Sequence, residues 1–485
     1  MNLTQAEEEM TEHASSPTTK ATESVCPICL RQISAEKQSC GAEVVMVKTC
    51  PDHGRFETVL WRGDPPMDAW SRFKTVTHPA VCYTRVELGC PFDCGLCEAH
   101  EQLPCSVLLE VTDRCNLRCP VCFADSGGIN TCEPDLTTIA TWYARIMESA
   151  GTCSIQLSGG EPTMREDLLT IIEMGRNAGF SFIQVNTNGI RLANEKDYAV
   201  KLRQAGLVSV FLQFDGVDDG VYQALRGRPL LREKLLAVER SAAAGLGVVL
   251  VPTLVPGVNT DSLGAIVKKA LQLEPAVRGV HFQPVSHFGR YPKEIMSSDR
   301  ITLPEVIRSL EEQTDGLVRA NQFAPPGWEH SLCSFHGSFI LQSDGSLKSI
   351  TEKAFASCCQ RDSSAAEGRT IDLVSRQWAA PSPREDVGSL RSGEVANSSC
   401  CRSPSEVPPD GLVDLETFLE QVKTHSFTIT CMVFQDAWNL DLERLRQCCI
   451  SVMAPDGRLI PFCAYNLTGM TGKRLYRNKD CRASL

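Results

Sequence analysis

The sequence lacks several features that would place it in large classes of protein. No apolar run reaches the roughly 18–20 residues of a membrane-spanning helix, which excludes an integral membrane segment. Basic residues are too few for a nucleic-acid binder, because 48 Lys and Arg face 59 Asp and Glu and the net charge is −11. The opening residues, MNLTQAEEEMTEHASS, have neither a basic start nor an apolar core, so we expect no secretion signal and a cytoplasmic protein.

Cysteine, by contrast, is abundant, with 24 residues in a chain of 485. Disulfides are rare in a reducing cytoplasm, so closely spaced cysteines there are usually metal ligands or redox groups. They fall into four groups, within residues 26–50, 90–105, 115–122 and 333–463. The sequence therefore predicts several metal centres in one folded protein.

Composition and hydrophobic pattern divide the chain into segments. The predicted segments are a polar disordered tail (1–22), a rubredoxin-like or zinc-ribbon-like metal module (23–64), an auxiliary iron-sulfur connector (65–104), a barrel (105–332), the start of a C-terminal region (333–354), a flexible Ser- and Pro-rich insertion (355–411) and a C-terminal auxiliary cluster region (412–485).

The central segment alternates β-rich runs with helical patterns. The six β-rich runs are SVLLEVT, CSIQLSG, FSFIQVNT, VSVFLQFD, GVVLVPTLV and RGVHFQPV. Repeated strand and helix imply right-handed parallel crossovers, and six strands favour a partial (β/α)6 barrel of the α/β class over the full eight-stranded barrel. The active site of such a fold lies at the carboxyl ends of its strands.

Three cysteines follow the first predicted strand as a CxxxCxxC array in EVTDRCNLRCPVCFA: Cys115, Cys119 and Cys122. A four-iron cluster normally takes four thiolates, so three thiolates leave one iron open. An open position at a catalytic metal can bind a substrate or a cofactor. The alternative interpretation is a zinc site that is short of a ligand.

This array, with Phe123 directly after its last cysteine, resembles the signature of the radical S-adenosylmethionine (radical SAM) superfamily. The next predicted strand ends in LSGGEPTM, which is similar to the GGEP segment that holds the cofactor's methionine amino group in that superfamily. The resemblance implies that Gly159, Gly160, Glu161 and Pro162 bind S-adenosylmethionine. Glycine lets backbone approach a ligand closely, and an acidic side chain suits a charged amine.

Polar residues at further strand ends complete the predicted cofactor site. By the same resemblance, Asn186 and Asn188 lie near the cofactor, Gln213 and Asp215 face the reaction chamber, and residues 251–254 approach the adenine. Ordinary turn chemistry in NTNG and FDG is the alternative. The implied reaction begins with reductive cleavage of S-adenosylmethionine to a 5′-deoxyadenosyl radical, which abstracts a hydrogen atom from the substrate.

The N-terminal cysteines have the spacing of a single tetrahedral metal site. Cys26 and Cys29 form a CxxC pair, Cys50 and His53 form a CxxH pair, and Cys40 is a rival fourth ligand. Three sulfurs and one imidazole favour zinc, whereas four sulfurs fit either iron of the rubredoxin type or zinc.

Two further cysteine groups predict auxiliary [4Fe–4S] clusters. The first would use Cys90, Cys94 and Cys97 with Cys105 as its fourth ligand. The second group is widely separated in sequence, Cys449 can replace one of its members, and buried apolar thiols are the alternative. Its candidate ligands are Cys333, Cys431, Cys448 and Cys463.

The order of motifs is similar, over nearly the whole chain, to one branch of the superfamily. That branch includes archaeal tetraether lipid synthase, dihydropterin dimethyltransferase-like proteins and bacterial radical SAM (seleno)proteins. The resemblance implies S-adenosylmethionine, one catalytic and one or two auxiliary [4Fe–4S] clusters, and one mononuclear iron or zinc. It also implies a low-potential electron donor such as ferredoxin or flavodoxin.

The favoured hypothesis is an enzyme that alkylates or couples an unactivated carbon of a small molecule or lipid. The alternatives are a methyltransferase acting on a pterin-like heterocycle, a non-catalytic iron-sulfur electron carrier, and a zinc-ribbon interaction module. The GGEP segment and the polar strand ends argue against the carrier, because a carrier needs no cofactor site.

Overall fold

The computed structural model describes residues 18–72, 74, 76–128, 133–291, 300–351, 377–381 and 421–477. Within these residues the strands form two sheets, one of four strands at the amino end and one of twelve strands over the rest. No helix in the described part of the chain is long and apolar enough to cross a membrane.

The four-stranded sheet is an antiparallel ribbon whose strands pair in chain order. Its strands are β1 (Thr18–Val25), β2 (Gln32–Cys40), β3 (Glu43–Cys50) and β4 (Gly54–Arg62). The alternation of buried and less buried residues along β3 follows the two-residue period of a strand. The predicted tail is too long, because β1 begins at Thr18 and all of its residues pair with β2. Residues 1–17 lie outside the described part.

The predicted partial α/β barrel is confirmed, with all six β-rich runs present as neighbouring parallel strands. The strands of this segment are β5 (Ser106–Thr112), β6 (Ser154–Gly159), β7 (Ile183–Thr187), β8 (Ser209–Gln213), β9 (Gly247–Val251), β10 (Thr253–Leu254) and β11 (Val277–Pro284). The short strand β10 extends the line of β9 and pairs with the end of β11.

Helices cover the outer face of the barrel strands. They are α1 (Met67–Trp70), α2 (Leu136–Ala150), α3 (Leu168–Asn177), α4 (Ile190–Asn194), α5 (Tyr198–Gln204), α6 (Asp219–Arg226), α7 (Leu231–Ala243), α8 (Leu263–Gln272) and α9 (Leu303–Gln313), with single 3-10 turns at Pro162–Met164 and Ala320–Gln322. Helix α2 shows how particular residues set the two ends of a helix. Asp135 caps its amino end by accepting a hydrogen bond from the Thr138 N–H, and Gly151, at φ 71°, ends it.

The C-terminal region adds a parallel strand to each edge of the barrel. Its elements are β12 (Ser334–Leu341), β13 (Leu347–Ser349), β14 (Ser426–Met432), α10 (Leu442–Arg446), β15 (Ile450–Met453), β16 (Leu459–Pro461) and α11 (Phe462–Tyr465). Strand β14 pairs with β11, and β15 pairs with β5. The six predicted strands therefore lie inside a run of eight parallel strands.

The insertion predicted as flexible at 355–411 contains a packed segment, so that interpretation is wrong for residues 377–381. Arg278, at the amino end of β11, donates to the carbonyl of Gln377 (3.1 Å), and the indole of Trp378 donates to Thr428 on β14 (3.1 Å). The rest of the predicted insertion lies outside the described residues.

A second apolar core joins the ribbon to the C-terminal region. It contains Val25 and Leu30 from the ribbon, Leu108 from β5, and Leu440 and Leu442 from the C-terminal region. The ribbon is therefore packed against the catalytic part of the chain.

Candidate active site and metal centres

The loop that carries Cys115, Cys119 and Cys122 begins after β5 at the carboxyl edge of the sheet. All three residues are partly exposed. Arg290, in the segment after β11, exchanges two backbone hydrogen bonds with Cys122 (2.8 and 3.0 Å), and its guanidinium donates to the Cys119 carbonyl (2.7 Å). The loop is thus fixed to a distant strand end while its thiols keep access to a ligand.

The two glycines of GGEP allow close backbone contact with the residues just before the cysteine loop. The Gly160 N–H donates to the Thr112 carbonyl (2.7 Å). A Cβ on Gly160 would lie 2.3 Å from the Arg114 carbonyl oxygen, and Gly159 has φ +125°, so side chains are excluded at both positions. These contacts hold the end of β6 against the start of the cysteine loop.

Glu161 is nearly fully buried, and protein donors occupy its carboxylate. The Thr163 N–H (3.1 Å) and hydroxyl (2.7 Å), the Thr187 hydroxyl (2.7 Å) and the Asn188 N–H (2.7 Å) all donate to it. Three of these bonds reach Oε1 and one reaches Oε2. Glu161 therefore ties the ends of β6 and β7 together, and its contact with the cofactor amine stays a prediction. Pro162 begins the 3-10 turn that follows.

Asp215 is the centre of a buried polar network at the end of β8. It is fully buried, and Arg226 on α6 donates to both of its oxygens (2.8 and 2.7 Å). Arg226 also lies close enough to the Cys119 thiol for their charges to interact. Gln213 donates to Asp215 and accepts from Lys234 of α7 (3.0 Å).

Sequence reasoning found Gln213 and Asp215 but missed Arg226 and Lys234. Lys234 is fully buried, its ammonium donates to the Asn188 carbonyl (2.6 Å), and burial lowers its pKa to about 8. The available signal was the four basic residues in LRGRPLLREK, which begins ten residues after Asp215, the acid that ends the predicted strand VSVFLQFD. Both cations place positive charge beside the cysteine loop.

Phe123 and Asn186, two further residues of the predicted cofactor site, lie in different parts of the structure. Phe123 is 36% exposed and packs against Phe462 of the C-terminal region, with the Arg477 guanidinium 5.8 Å from its ring centre. Asn186 points its amide at Gln156 on the neighbouring strand (3.1 Å). The first residue therefore covers the cysteine loop, and the second belongs to the barrel interior.

These residues fit the iron-sulfur cluster and the cofactor predicted from the sequence. Three thiols on one fixed loop supply three of the four ligands of a [4Fe–4S] cluster. A buried guanidinium whose positive charge lies near one thiol suits the negative charge of a thiolate. The loop also lies beside the polar ends of β6, β7 and β8, where the sequence predicts S-adenosylmethionine.

The ribbon brings the four residues of the CxxC and CxxH pairs together. The ligand atoms of Cys26, Cys29, Cys50 and His53 all lie within 4.8 Å of one another. The Cys29 and Cys50 sulfurs are 4.0 Å apart, close to the roughly 3.8 Å expected between two ligands of a tetrahedral metal at 2.3 Å. Cys40 is exposed at the far end of β2 and is not part of the group.

The auxiliary cysteines are grouped differently from the sequence prediction. The neighbouring Cys90 thiol and burial raise the pKa of the Cys94 thiol, with Cys97 and Cys448 as further nearby thiols. Cys105 instead lies against Cys449, with a sulfur–sulfur distance of 3.0 Å. The Cys448 thiol of the C-terminal region therefore also lies near the 90–97 group, and Cys105 stays a predicted fourth ligand.

The remaining C-terminal cysteines divide in two. Cys333, Cys448 and Cys463 lie close enough for their charges to act on one another. Cys431 does not belong with them: it lies on β14 opposite Phe282 and Phe335, and burial raises the pKa of its thiol. Its strand position places it in the apolar core, so its assignment as a cluster ligand is wrong.

The HEQ sequence after Cys97 joins the two halves of this region. The His100 imidazole contacts the Cys448 carbonyl (2.8 Å), and burial lowers the pKa of His100. The Glu101 N–H donates to the Arg446 carbonyl (2.9 Å), and its carboxylate accepts from Gln447 (2.8 Å). The connector and the C-terminal region thus form one cysteine-rich unit.

Comparison with known families agrees with this architecture. The family described as the Radical SAM superfamily matches residues 109–270, and the HMPTM N-terminal zinc ribbon domain matches residues 18–62. The chain belongs to the radical SAM superfamily. It is accordingly a radical SAM enzyme that uses S-adenosylmethionine and a [4Fe–4S] cluster, with a metal-binding ribbon at its amino end.

Similar proteins extend this match to nearly the whole chain. The 7,8-dihydro-6-hydroxymethylpterin dimethyltransferase of Methanocaldococcus jannaschii is 34% identical over 491 residues, covering 92% of this chain and 93% of the relative. The GTP 3′,8-cyclase of Paenarthrobacter nicotinovorans is 29% identical over 299 residues, covering 58% of this chain and 81% of the relative. Among solved structures, the FeFe-hydrogenase maturase HydG from Carboxydothermus hydrogenoformans has 15% identity and a TM-score of 0.36, covering 44% of this chain and 52% of that chain.

Proposed function

We propose that this chain is a radical SAM methyltransferase whose substrate is a pterin-like heterocycle. The observation that carries the proposal is the match to the pterin dimethyltransferase, which includes the ribbon, the barrel and the C-terminal region. The match to the cyclase covers much less of this chain. Methyl transfer, the alternative in the sequence analysis, therefore replaces carbon coupling as the favoured reaction.

The residues of the site have definable tasks in this reaction. When bound, the cluster and S-adenosylmethionine supply a 5′-deoxyadenosyl radical, and a low-potential ferredoxin or flavodoxin is the proposed electron source. Arg226, held by Asp215, places a positive charge near the Cys119 thiolate and offsets its charge. Glu161 fixes the ends of β6 and β7, and Lys234 fixes the ends of β7 and β8.

The proposal also assigns metals to two cysteine groups outside the catalytic site, the ribbon and the auxiliary cysteines. Three sulfurs and one imidazole within 4.8 Å favour zinc at the ribbon, where it would stabilise a fold of four short strands. The thiols near Cys94 and Cys448 are proposed to hold at least one auxiliary [4Fe–4S] cluster.

The proposal is tested by anaerobic turnover of the reconstituted full chain with S-adenosylmethionine and dithionite. Addition of 7,8-dihydro-6-hydroxymethylpterin should raise release of 5′-deoxyadenosine, which carries the abstracted hydrogen atom, and of S-adenosylhomocysteine, which is left when a second S-adenosylmethionine gives up its methyl group. The product should be a pterin with the mass of one or two added methyl groups. Cys119→Ala should abolish 5′-deoxyadenosine and the methylated pterin, whereas Cys40→Ser, at an exposed thiol outside the metal group, should leave them unchanged. Carbon coupling would replace the proposal if the release of 5′-deoxyadenosine did not change on addition of the pterin but rose on addition of an isoprenoid lipid.

A further inference from the structure

The interior of the barrel is lined by polar side chains that remain partly accessible. Gln156 on β6, Asn186 on β7 and Gln283 on β11 are only half-buried, although each lies within a central strand. Their outward neighbours, such as Leu157 and Val185, are fully buried under the helices. Accessibility on the inner face alone indicates a chamber inside the sheet.

The amides of this chamber form a ladder with two acceptors, on Gln184 and Asn186, that have no hydrogen-bond partner in the described part of the chain. Gln156 donates to Ser106 (3.1 Å), and Asn186 donates to Gln156 (3.1 Å). The Asn186 carbonyl oxygen is buried and has no hydrogen-bond partner among the described residues. A buried acceptor without a donor is unfavourable, so the site favours a ligand that brings an N–H group.

Aromatic side chains form another part of the wall. The rings of Phe211 and His281 have centres 5.2 Å apart, and Trp378 lies 5.8 Å from Phe211 and 6.3 Å from His281. His281 contacts the Thr430 hydroxyl through Nδ1 (2.7 Å), and burial lowers its pKa to about 4, so its ring is neutral at pH 7. Flat, uncharged rings of this kind stack on other flat rings.

Trp378 closes the chamber from the end opposite the cysteine loop. Its segment contacts the amino ends of β9 and β11, where a Cβ on Gly247 would lie only 2.1 Å from the Trp378 carbonyl oxygen. Arg278 holds the same segment through the Gln377 carbonyl. The cysteine loop lies at the carboxyl ends, so the chamber has the cofactor site at one end and this tryptophan at the other.

We propose that this chamber is the substrate site, that it takes a flat nitrogen heteroaromatic of the pterin class, and that Trp378 forms its floor. The inference rests on the proposed function and adds the location and the residues that select the ring. The aromatic group of Phe211, His281 and Trp378 provides stacking area. Gln156 and Asn186 match the ring N–H and carbonyl groups, because an amide offers both a donor and an acceptor.

The test is binding without turnover. Fluorescent 6-hydroxymethylpterin is titrated anaerobically into the full-length holoprotein, and its anisotropy gives a Kd. Trp378→Leu should weaken binding by roughly tenfold, in keeping with the loss of about 1.4 kcal/mol of stacking, and Trp378→Phe should keep most of the affinity. Asn186→Leu should also weaken it. Trp438→Leu is the matched control, because Trp438 contacts Phe56 of the ribbon and should leave the Kd unchanged.

The outcomes separate the inference from the proposed function. Iron content and melting temperature confirm that each variant is folded. If the wild-type protein binds the pterin and neither Trp378→Leu nor Asn186→Leu changes the Kd, the chamber is not the substrate site. Methylation of the pterin would still stand in that case. A wild-type protein that neither binds the pterin nor releases more deoxyadenosine in its presence would overturn both.

Discussion

Lys37 of the ribbon and Asp441 of the C-terminal region form a buried ion pair, with Nζ and Oδ2 2.5 Å apart and side chains 7% and 1% exposed. The Thr22 hydroxyl donates to the other carboxylate oxygen (2.9 Å). Lys48, also buried, donates to the Ala437 carbonyl (2.8 Å). Polar contacts thus reinforce the apolar core between the ribbon and the segment that contains FQDAWNLD.

Breaking this ion pair should destabilise the whole chain. Lys37→Met leaves the Asp441 carboxylate buried without its cation, which typically costs about 3–5 kcal/mol. Urea unfolding of the full-length protein should show this loss. Asp315→Asn removes the exposed pair with Lys268 (2.9 Å) and should cost less than about 1 kcal/mol. Equal losses in the free energy of unfolding for the two variants would contradict the assignment of Lys37 and Asp441 as a buried, stabilising ion pair.

The ribbon metal should depend on Cys29 and not on Cys40. Cys29→Ser removes one of the four grouped ligands, so metal content measured by mass spectrometry should fall by about one ion per chain and the ribbon should lose its resistance to proteolysis. Cys40→Ser should retain the ion. Loss of the ion from Cys40→Ser alone would make Cys40 the fourth ligand.

Acid should weaken the fold through His281. Burial lowers the folded-state pKa to about 4, against about 6.5 in the unfolded chain, so the unfolded state binds more protons between these values. The free energy of unfolding should therefore fall by up to about 3 kcal/mol as the pH drops from 6.5 to 4.

His281→Gln should reduce this acid dependence in urea unfolding measured between pH 4 and 7. Part of the slope should remain, because burial lowers the pKa of His330 to about 3 as well. The control is His425→Gln, on an exposed imidazole beside Glu274. An unchanged slope in the His281 variant would show that this histidine does not titrate with unfolding.

Arg226 should set the reduction potential of the catalytic cluster. Replacing it with Gln removes a positive charge near the Cys119 thiolate, so the midpoint potential should become more negative in a titration followed by electron paramagnetic resonance. Arg228→Gln, in an exposed pair with Glu233, should leave the potential unchanged. Identical midpoint potentials in the wild-type protein and the two variants would show that Arg226 does not act on the cluster in solution.

Iron content should distinguish Cys448 from Cys431. Cys448 lies near the 90–97 thiols, so Cys448→Ala should lower the iron content of the reconstituted protein, by roughly four atoms if one cluster is lost. Cys431→Ala should keep all the iron and cost roughly 1 kcal/mol of stability, because it leaves a small cavity in the core. Iron loss from Cys431→Ala would restore it as a ligand.

Local patterns were sufficient for much of the fold and the site. The two-residue and 3.6-residue periods located the six strands and their helices, and short spacings located the ribbon ligands, because the residues in question are neighbours in sequence. The GGEP glycines were found by motif. Their close contact with residues 112–114 explains why no other residue fits there.

The sequence was less informative where contacts join distant segments. Strand β15 pairs with β5, so Ile450 lies opposite Ser106, and no local pattern encodes that distance. Cys105 follows Cys97 closely in sequence, yet the backbone carries it to Cys449. Trp378 stands in a Ser- and Pro-rich stretch whose composition hides its packing against Phe211.

The strands that flank the barrel also bear on how the protein is made. During synthesis the six central strands leave the ribosome before β14 and β15 exist, so both edges of the sheet stay unpaired, and unpaired edges invite aggregation. The Cys448 thiol, which lies near Cys94 in the folded protein, is likewise synthesised more than 350 residues after it. A chain that stops short of β14 therefore keeps both edges open and never brings these thiols together.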